Sequence, residues 1–193
     1  MRFPRHSAVY LCRRRIHQSA PKRGSVLVAA LLASLTVLGC SSAGHKEYAA
    51  NEQKANRIIV VKSAHTMTLI AKGQILKVYK VALGRGPIGP KDHQGDHKTP
   101  EGEYVIDQKN TQSRFHLALH ISYPSPSDRK RAREEGVDPG GAVMVHGVED
   151  KLAWVGSLQH DLDWTDGCIA VTNSEIEEIW RLVPVGTPIE IKP

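Results

Sequence analysis

Short runs of apolar residues, often alternating with polar ones, recur along the chain from residue 57 onward, and this pattern predicts β-strands. Glycine, proline and charged residues separate the runs, as is typical of turns and loops. The segment Lys72–Gly73–Gln74 lies between two of the runs and indicates a hairpin. The predicted strands are RIIVVKS (57–63), TMTLIA (66–71), QILKVYKVAL (74–83), GEYVIDQ (102–108), FHLALHISY (115–123), AVMVHGV (142–148), CIAVT (168–172) and TPIEIK (187–192).

One helix is clearly predicted, from Ser174 to about Val183. Its apolar residues recur with the i, i+3, i+4, i+7 spacing of a helix that faces a core, and they are Ile176, Ile179, Trp180 and Val183. Ser174 and Glu177 have the spacing of a capping box, and Pro184 ends the helix. About eight strands and one good helix exclude a doubly wound α/β fold. They favour a mainly β fold, a sandwich or barrel with one packed helix near the C-terminus.

Two longer polar segments lie between the strands. Residues 84–100 are rich in glycine and proline and predict a long loop. Two histidines and two aspartates of this loop invite a metal-site hypothesis: His93, His97, Asp92 and Asp96. We favour a solvated loop, because no cysteine or third histidine stands at ligand spacing. Residues 125–136 are charged on all sides and predict either a short exposed helix ending at Gly136 or a mobile flap.

The first 39 residues have the features of a targeting signal. An apolar run from Ser25 to Gly39 follows two basic residues, and it is short for a transmembrane helix but fits the core of a signal peptide. The run ends in VLGC (37–40), which resembles the lipobox of bacterial lipoproteins, whose cysteine is lipid-modified and becomes the new N-terminus. Ordinary signal cleavage near Gly39 and an uncleaved anchor are the alternatives. We therefore predict lipidation at Cys40.

The same pattern predicts how the chain is divided and where it resides. Residues 1–39 form the signal peptide, residues 40–56 the lipidated cysteine and a small, polar, flexible tether, and residues 57–193 the folded domain. By resemblance to lipoprotein sorting, Ser41 after the cysteine implies delivery to the outer membrane of a Gram-negative cell. The expected location is the cell envelope, with a periplasmic domain and an N-terminal lipid anchor in the membrane.

The distribution of charge argues against nucleic acid as a partner. The chain carries 26 basic and 20 acidic residues, for a net charge of +6. The first 39 residues hold seven of the basic residues and no acidic one, so the remainder, with 19 basic against 20 acidic side chains, is close to neutral. A folded basic domain that binds the phosphate backbone of a nucleic acid is therefore not expected.

Export changes what the three cysteines imply. Cys12 is removed with the signal and Cys40 is lipidated, which leaves Cys168 without a disulfide partner in an oxidising compartment. Such a thiol is either buried and inert, which the count alone favours, or reactive. A nucleophilic thiol needs a lowered pKa or a base, and histidine is the usual base.

Of the ten histidines, His146 is the best candidate for that base because it ends the apolar strand AVMV. Cys168 begins the strand CIAVT, so two strand ends at one rim can bring imidazole and thiol to hydrogen-bond distance. Gly147 leaves room for a substrate backbone, and backbone N–H groups around Asp166, Gly167 and Cys168 are candidate donors to an oxyanion. The alternative for a lone histidine is a purely structural role.

Three segments together resemble the L,D-transpeptidase family, whose catalytic domain is of the YkuD type. They are QGDHKTPEGEY (94–104), VHG (145–147) and TDGCIAVTN (165–173). A Thr-Pro-x-Gly-x-Tyr segment, then His-Gly, then Gly-Cys before the terminal helix is a specific combination. The resemblance covers about Arg57 to Lys192, and the loop from Gln94 together with the run HLALHISYP is most similar to the YafK-like branch.

The resemblance implies a cysteine enzyme with a β-sandwich-like catalytic domain. Cys168 would be the nucleophile and His146 its general base, acting on peptidoglycan stem peptides without a metal or another cofactor. The thiol would attack the carbonyl that follows the L-centre of the diamino acid, bind the acyl group as a thioester and expel the terminal D-alanine. An amine of a second stem peptide or of a lipoprotein C-terminus would then collect the acyl group, or water would hydrolyse it.

Two departures from the family pattern bear on this implied chemistry. The common motif is Ser/Thr-His-Gly-Cys, whereas this chain has an aspartate, Asp166, at the second position. A carboxylate beside the thiol disfavours the thiolate unless it points away or pairs with a cation. The arginine often found two residues after the cysteine is Ala170 here, which leaves the acceptor open.

Secondary substrate contacts are also predicted. His116 and His120 lie on one strand face, because four is an even step, and His120 is our choice for a residue that faces the cleft. Tyr123 and Arg114 are further candidates, since an arginine near the cleft can hold a carboxylate. An insert between the histidine and the cysteine contains KLAWVGSLQHDLDW (151–164) and is expected to build a wall of the cleft, lined by Trp154 or Trp164. For Trp154 we favour core packing.

Three functions are therefore left open by the sequence. The first is a peptidoglycan L,D-transpeptidase. The second is a hydrolase of the same family, an L,D-carboxypeptidase or endopeptidase or an enzyme that releases a peptidoglycan-linked lipoprotein. The third is a non-catalytic wall-binding lipoprotein in which Asp166 has disabled the thiol.

Overall fold

Eight strands and three helical segments make up the part of the chain that the computed structural model describes, residues 52–86 and 88–193. The predicted signal peptide, Cys40 and most of the predicted tether lie outside the described residues. The strands are β1 (Arg57–Val61), β2 (Thr66–Ala71), β3 (Gln74–Lys80), β4 (Gly102–Ser113), β5 (His116–Ile121), β6 (Met144–His146), β7 (Ile169–Ala170) and β8 (Pro188–Lys192). The helices are α1 (Pro126–Glu135), a 3-10 segment (Asp150–Asp161) and α2 (Asn173–Leu182).

The strands form one sheet in the order β3-β2-β1-β8-β4-β5-β6-β7. The pairs β1–β8 and β6–β7 are parallel and the others antiparallel. The long strand β4 pairs with β8 through its first residues and with β5 through the rest, so the sheet curls there. Beyond β3, Ala82 bridges to Ala170 of β7 and ties the two ends of the sheet together. The mainly β, barrel-like fold predicted from the sequence is confirmed.

The core lies inside the curled sheet and is closed by α2. In β1 and β2 every second residue is buried, which is the period expected when one strand face packs inward. On α2, Ile176 and Ile179 are fully buried and Leu182 nearly so. Each such side chain contributes about 1.5–3 kcal/mol by leaving water. The capping box of α2 is formed by Thr172 and Glu175, two residues before the predicted Ser174 and Glu177, because the helix begins at Asn173.

The charged segment after β5 is the helix α1 rather than a flap. Ser125 caps its N-terminus and Gly136, in the left-handed conformation with φ 71°, ends it. Asp128 is buried in spite of its charge, because it accepts hydrogen bonds from the Tyr104 hydroxyl (3.2 Å) and from Arg131 (3.0 Å). These bonds fix α1 against β4.

The folded domain begins slightly before the predicted boundary at Arg57. Ala55 is buried, and its N–H donates to the carbonyl of Leu182 at 2.8 Å. The N–H of Asn56 likewise donates to Ile70. Over residues 52–86 and 88–193, no helix has the length and apolar character needed to cross a membrane.

Candidate active site

Two neighbouring parallel strands bring Cys168 and His146 to one cleft. In the β6–β7 register His146 stands opposite Ala170 and Val145 opposite Ile169, so Cys168, one residue before β7, is level with Met144. Both Cys168 and His146 line a cleft of about 610 Å³. Among the described residues no hydrogen bond joins the sulfur to the imidazole, and Sγ lies 3.7 Å from the carbonyl of Ala142. Such catalytic contacts are often long without substrate.

The His146 ring is held in the tautomer that a general base requires. The ring is buried, with 2% of the residue exposed, and its Nδ1 lies 2.6 Å from the carbonyl oxygen of Gly147. A carbonyl accepts only, so Nδ1–H donates and Nε2 keeps its lone pair. Burial lowers the pKa of His146 and outweighs the bond to Gly147, which raises it. The imidazole is therefore neutral near pH 7 and can take a proton.

Two aromatic rings enclose this imidazole. Phe115 stacks on His146 with ring centroids 4.5 Å apart and 24° between the planes, and Trp164 meets it edge-on at 5.8 Å. These contacts fix the ring and account for its burial. The sequence did not identify Phe115 as a site residue, because it looks like the first residue of an ordinary strand.

The Cys168 thiol is protonated in the resting site. Burial raises its pKa most, a backbone hydrogen bond from Met144 lowers it, Asp166 raises it and Lys91 lowers it, with a net rise. Since the neighbouring imidazole is neutral, the pair is a thiol and a base rather than a preformed thiolate–imidazolium. Proton transfer then belongs to the step in which the sulfur attacks.

A tight turn from Thr165 to Cys168 presents the thiol. The Thr165 hydroxyl donates to the Cys168 carbonyl (2.8 Å) and accepts the Gly167 N–H (3.1 Å). Gly167 is therefore not a free oxyanion donor, which corrects the prediction from sequence. The Cys168 N–H has no acceptor in the described part of the chain and remains the candidate. Thr165 itself was missed, although it begins the TDGC motif.

Asp166 pairs with Arg85 and lies beside the His97 ring instead of facing the thiol alone. Its carboxylate lies 2.9 Å from the Arg85 guanidinium and 2.8 Å from the His97 ring, and its side chain is 73% exposed. Solvent and these two partners screen its effect on Cys168. Asp166 thus lies at the rim of the cleft, and its carboxylate offers no donor to an oxyanion, whereas its backbone N–H stays a candidate donor.

Gly147 serves the packing of α2 rather than a substrate backbone. It is buried, and a Cβ placed on it would lie 2.4 Å from Oδ1 of Asn173 and 3.1 Å from the carbonyl of Phe115. The Asn173 oxygen accepts the Val148 N–H at 2.7 Å. Because Gly147 has no side chain, Asn173 fits beside it. Asn173 thereby fixes the backbone whose carbonyl accepts the hydrogen bond from His146. The predicted substrate contact at Gly147 is wrong.

The other predicted substrate contacts divide into two groups. Arg114 and Trp164 line the cleft. Tyr123 does not, because it is 3% exposed and its hydroxyl donates to the Pro139 carbonyl at 2.8 Å. His120 is also outside the cleft, and its Nδ1 lies 2.6 Å from Asp107. A strand pattern gives the face of a residue, not its position along the strand relative to Cys168, and this is why both predictions failed.

The insert between histidine and cysteine builds one wall of the cleft, as predicted. Its 3-10 segment, Asp150–Asp161, contributes Leu152, Val155 and Leu158 to the lining. Trp154 is 80% exposed and outside the cleft, so the prediction that it packs in the core is wrong.

Ala170, at the position where the family resemblance led us to expect an arginine, is fully buried and forms an isolated bridge with Ala82. The cations of the cleft are instead Arg85 and Arg114, each paired with a carboxylate, Asp166 and Glu149. An anionic group that enters the cleft would have to displace one of these carboxylates or share its arginine.

The loop before β4 is more ordered than its composition suggested. Asp96 pairs with Lys91 and Asp92 with Lys98, and both side chains of the first pair are almost fully buried. The segment is a loop with exposed residues such as His93, as predicted, but the side chains of Lys91 and Asp96 are not solvated. In residues 52–86 and 88–193, no three His, Cys, Asp or Glu side chains are grouped to hold a metal ion.

Comparison with known proteins finds similarity over the whole described domain. A family model for the YkuD L,D-transpeptidase catalytic domain matches residues 55–191. The chain is 33% identical over 132 residues to "Putative L,D-transpeptidase YafK" of Escherichia coli K12, which covers 65% of this chain and 46% of that protein. It is 28% identical over 138 residues to "Putative L,D-transpeptidase YqjB" of Bacillus subtilis 168, covering 69% of each. The chain thus spans about half the length of the Escherichia coli protein.

Solved structures share the fold. The helical cell shape determining protein Pgp2 of Campylobacter jejuni superposes with a TM-score of 0.55 at 22% identity, over 74% of this chain and 49% of that chain. Bd1075 of Bdellovibrio bacteriovorus does so with a TM-score of 0.51 at 24% identity, over 72% and 48%.

Proposed function

We propose that this chain, which belongs to the YkuD family of L,D-transpeptidase catalytic domains, is a peptidoglycan L,D-transpeptidase that works through an acyl-enzyme on Cys168. The observation that carries the proposal is the shared cleft: the only cysteine of the described residues and a neutral histidine with a free Nε2 line the same walls. Family membership supplies the substrate class, the stem peptides of peptidoglycan.

The proposed first half-reaction forms a thioester. Sγ attacks the carbonyl carbon that follows the L-centre of the diamino acid, and Nε2 of His146 takes the thiol proton. The oxygen of the tetrahedral intermediate accepts the Cys168 N–H. When the intermediate collapses, the C–N bond breaks, and the leaving D-alanine amine takes the proton from His146.

The second half-reaction returns the enzyme to its starting state. An acceptor amine, from a second stem peptide or from a side chain at a lipoprotein C-terminus, attacks the thioester while His146 takes its proton. The C–S bond then breaks and the sulfur recovers that proton. With water as acceptor the same steps give hydrolysis. The buried Ala170 in place of an arginine bears on the acceptor alone, because the steps on Cys168 do not use it.

Incubation of the full-length protein with purified disaccharide-tetrapeptides tests this function. We expect an intact-mass increase on Cys168, followed by cross-linked dimers if an amine is the acceptor or by shortened stems if water is. A carbapenem supplies a second acylating probe, since its β-lactam C–N bond opens as the thioester forms. Absence of any adduct on the wild-type protein, with muropeptide binding retained, would favour the non-catalytic wall-binding function. The pairing of Asp166 with Arg85 and His97 argues against that outcome.

Two histidines on adjacent strands provide a matched control. His146→Ala should abolish the adduct, as should Cys168→Ala. His120→Ala should leave it in place, because His120 pairs with Asp107 outside the cleft. Equal loss in both histidine variants would contradict the assignment of His146 as the base.

We also propose that Cys40 is lipidated and anchors a periplasmic domain in the outer membrane, on the strength of the VLGC sequence. Metabolic labelling with an alkyne fatty acid tests this. Label should appear in the wild type and be absent from Cys40→Ser, and label on both would contradict lipidation at Cys40.

A further inference from the structure

A buried lysine, Lys91, lies beside Gly167, the residue before the nucleophile, and the proposed reaction does not use it. Lys91 is 4% exposed, which is rare for a lysine unless its charge is paired. Its Nζ lies 2.6 Å from Oδ1 of Asp96 and donates to the His93 carbonyl at 3.1 Å. From the side of α1, Arg131 donates to the Lys91 carbonyl at 3.0 Å. The Lys91 ammonium and the Lys91 backbone are thus each held by hydrogen bonds.

The Asp96 carboxylate holds the loop around this ammonium by accepting backbone hydrogen bonds. Its Oδ2 accepts the N–H groups of Asp92 (2.7 Å) and His93 (3.2 Å), and its Oδ1 accepts that of Lys98 (3.0 Å). Burial raises the pKa of Asp96, but these donors and Lys91 outweigh it and lower the pKa to about 2. The carboxylate is therefore charged at every physiological pH.

The backbone of this loop lies in close contact with Gly167, the residue before the nucleophile. A Cβ on Gly167, where φ is +122°, would lie 2.6 Å from the Lys98 carbonyl and 3.9 Å from Nζ of Lys91. On the other side, a Cβ on Gly84 would lie 3.0 Å from Cα of Gly167. The turn that presents Cys168 is thus held between two backbone segments, with the ammonium beside it.

Charged and titratable groups surround Cys168 from several elements. Arg85, Arg114, Glu149, Asp166 and His146 line its cleft, with Arg114 paired to Glu149, and Lys91 lies beside Gly167. His146 is neutral, and Asp166 is exposed and shared with Arg85 and His97. Lys91 is dry, so its charge acts through a medium of low dielectric constant. Besides burial, which raises the pKa of the Cys168 thiol most, Asp166 raises it and Lys91 lowers it, so the buried cation acts against the exposed carboxylate.

We propose that Lys91 is a positioning residue of the active site, which with Asp96 holds the Lys98 carbonyl against Gly167 and places a positive charge behind the Cys168 sulfur. The charge favours the thiolate that forms during attack and offsets Asp166. The inference rests on the proposed function only in taking Cys168 as the nucleophile.

The pH dependence of Cys168 alkylation by iodoacetamide tests the inference, read on the full-length chain by mass spectrometry of the Cys168 peptide. Removal of Lys91 alone leaves a buried carboxylate and endangers folding. The main variant is therefore Lys91→Met with Asp96→Asn, in which the amide oxygen still accepts the N–H groups of Asp92 and His93, while the Lys98 N–H loses its acceptor. The matched control is Lys98→Met with Asp92→Asn, a pair in the same loop joined at 2.8 Å but more exposed.

We expect the alkylation rate at pH 7 to fall about threefold to tenfold in the main variant, because one pKa unit changes the thiolate fraction tenfold. The alkylation rate at high pH should stay unchanged, whereas a merely structural defect would change the rate at high pH as well. Lys91→Arg should restore the midpoint, and the control pair should not shift it. A midpoint equal to that of the wild type in the main variant would overturn the inference. Acylation of the wild-type protein by substrate is scored separately, so failure of the proposed function is distinguishable.

Discussion

The two walls beside Cys168 are built by different means. The loop wall, residues 84–100, is polar and held by a buried ion pair and by backbone contacts that only glycine permits. The insert wall, Asp150–Asp161, is a run of 3-10 turns whose leucines and tryptophan are largely exposed, with Leu152 43%, Trp154 80% and Leu158 66%. One wall is fixed to the nucleophile, and the other is an apolar surface open to whatever enters the cleft.

This difference separates positioning from recognition. Bonds to buried charged groups fix geometry, since each missing partner costs free energy. Exposed apolar side chains gain little from the fold but gain on contact with a ligand. Changes in the loop wall should therefore alter stability and the thiol, whereas changes in the insert wall should alter substrate use.

Glycine substitutions give the largest expected contrast between the walls. Gly167→Ala should destabilise the domain by about 3 kcal/mol or more and abolish acylation, because its Cβ meets the Lys98 carbonyl at 2.6 Å and φ is +122°. Gly156→Ala, in the insert at φ +55° with nothing within 4 Å, should cost about 1 kcal/mol and leave the thiol reactive. Urea unfolding monitored by Trp fluorescence measures both. Equal costs at the two positions would refute the distinction between the walls.

The second-largest expected effect is on the free energy of unfolding at acid pH, which depends on the loop wall. The pKa of Asp96 is lowered from 3.8 to about 2, so its contribution is fully present above pH 4 and is lost as the pH falls toward 2. The loss should be roughly 2 kcal/mol. Asp96→Asn should remove this part of the pH dependence, whereas Asp92→Asn, whose carboxylate is more exposed, should retain it. Denaturant unfolding between pH 5 and pH 2 gives the comparison, and an unchanged slope in Asp96→Asn would contradict it.

The sequence predicted what depends on local pattern. The strands and the helix α2 follow from periodicity, and the resemblance to the L,D-transpeptidase family, carried by VHG and TDGC, is confirmed. His146 and Cys168 could be paired because each stands at the end of an apolar strand. The roles assigned to them stay predictions.

Contacts between distant segments were not predictable in this way. The burial of Asp96 depends on Lys91 and on three backbone N–H groups that its own composition does not reveal. Gly147 looked like an opening for substrate because its neighbour is His146, but the space is filled by Asn173, which is far away in sequence. Tyr123 was misplaced for the same reason, since its burial is set by packing against Tyr104.

The insert wall supplies the smallest and most specific effect. Leu158 lines the cleft although it is 66% exposed, so Leu158→Ser should leave the free energy of unfolding within about 0.5 kcal/mol of the wild type. It should lower kcat/KM for a tetrapeptide donor about fivefold, because an apolar contact worth roughly 1 kcal/mol is lost. Trp154→Ser is the matched control, being exposed on the same segment but outside the cleft, and should change neither quantity. The iodoacetamide rate of Cys168 should be unaffected in both variants, since the loop wall sets it. If Leu158→Ser slowed alkylation as much as acylation, the insert would be acting on the thiol itself, and recognition could no longer be assigned to that wall alone.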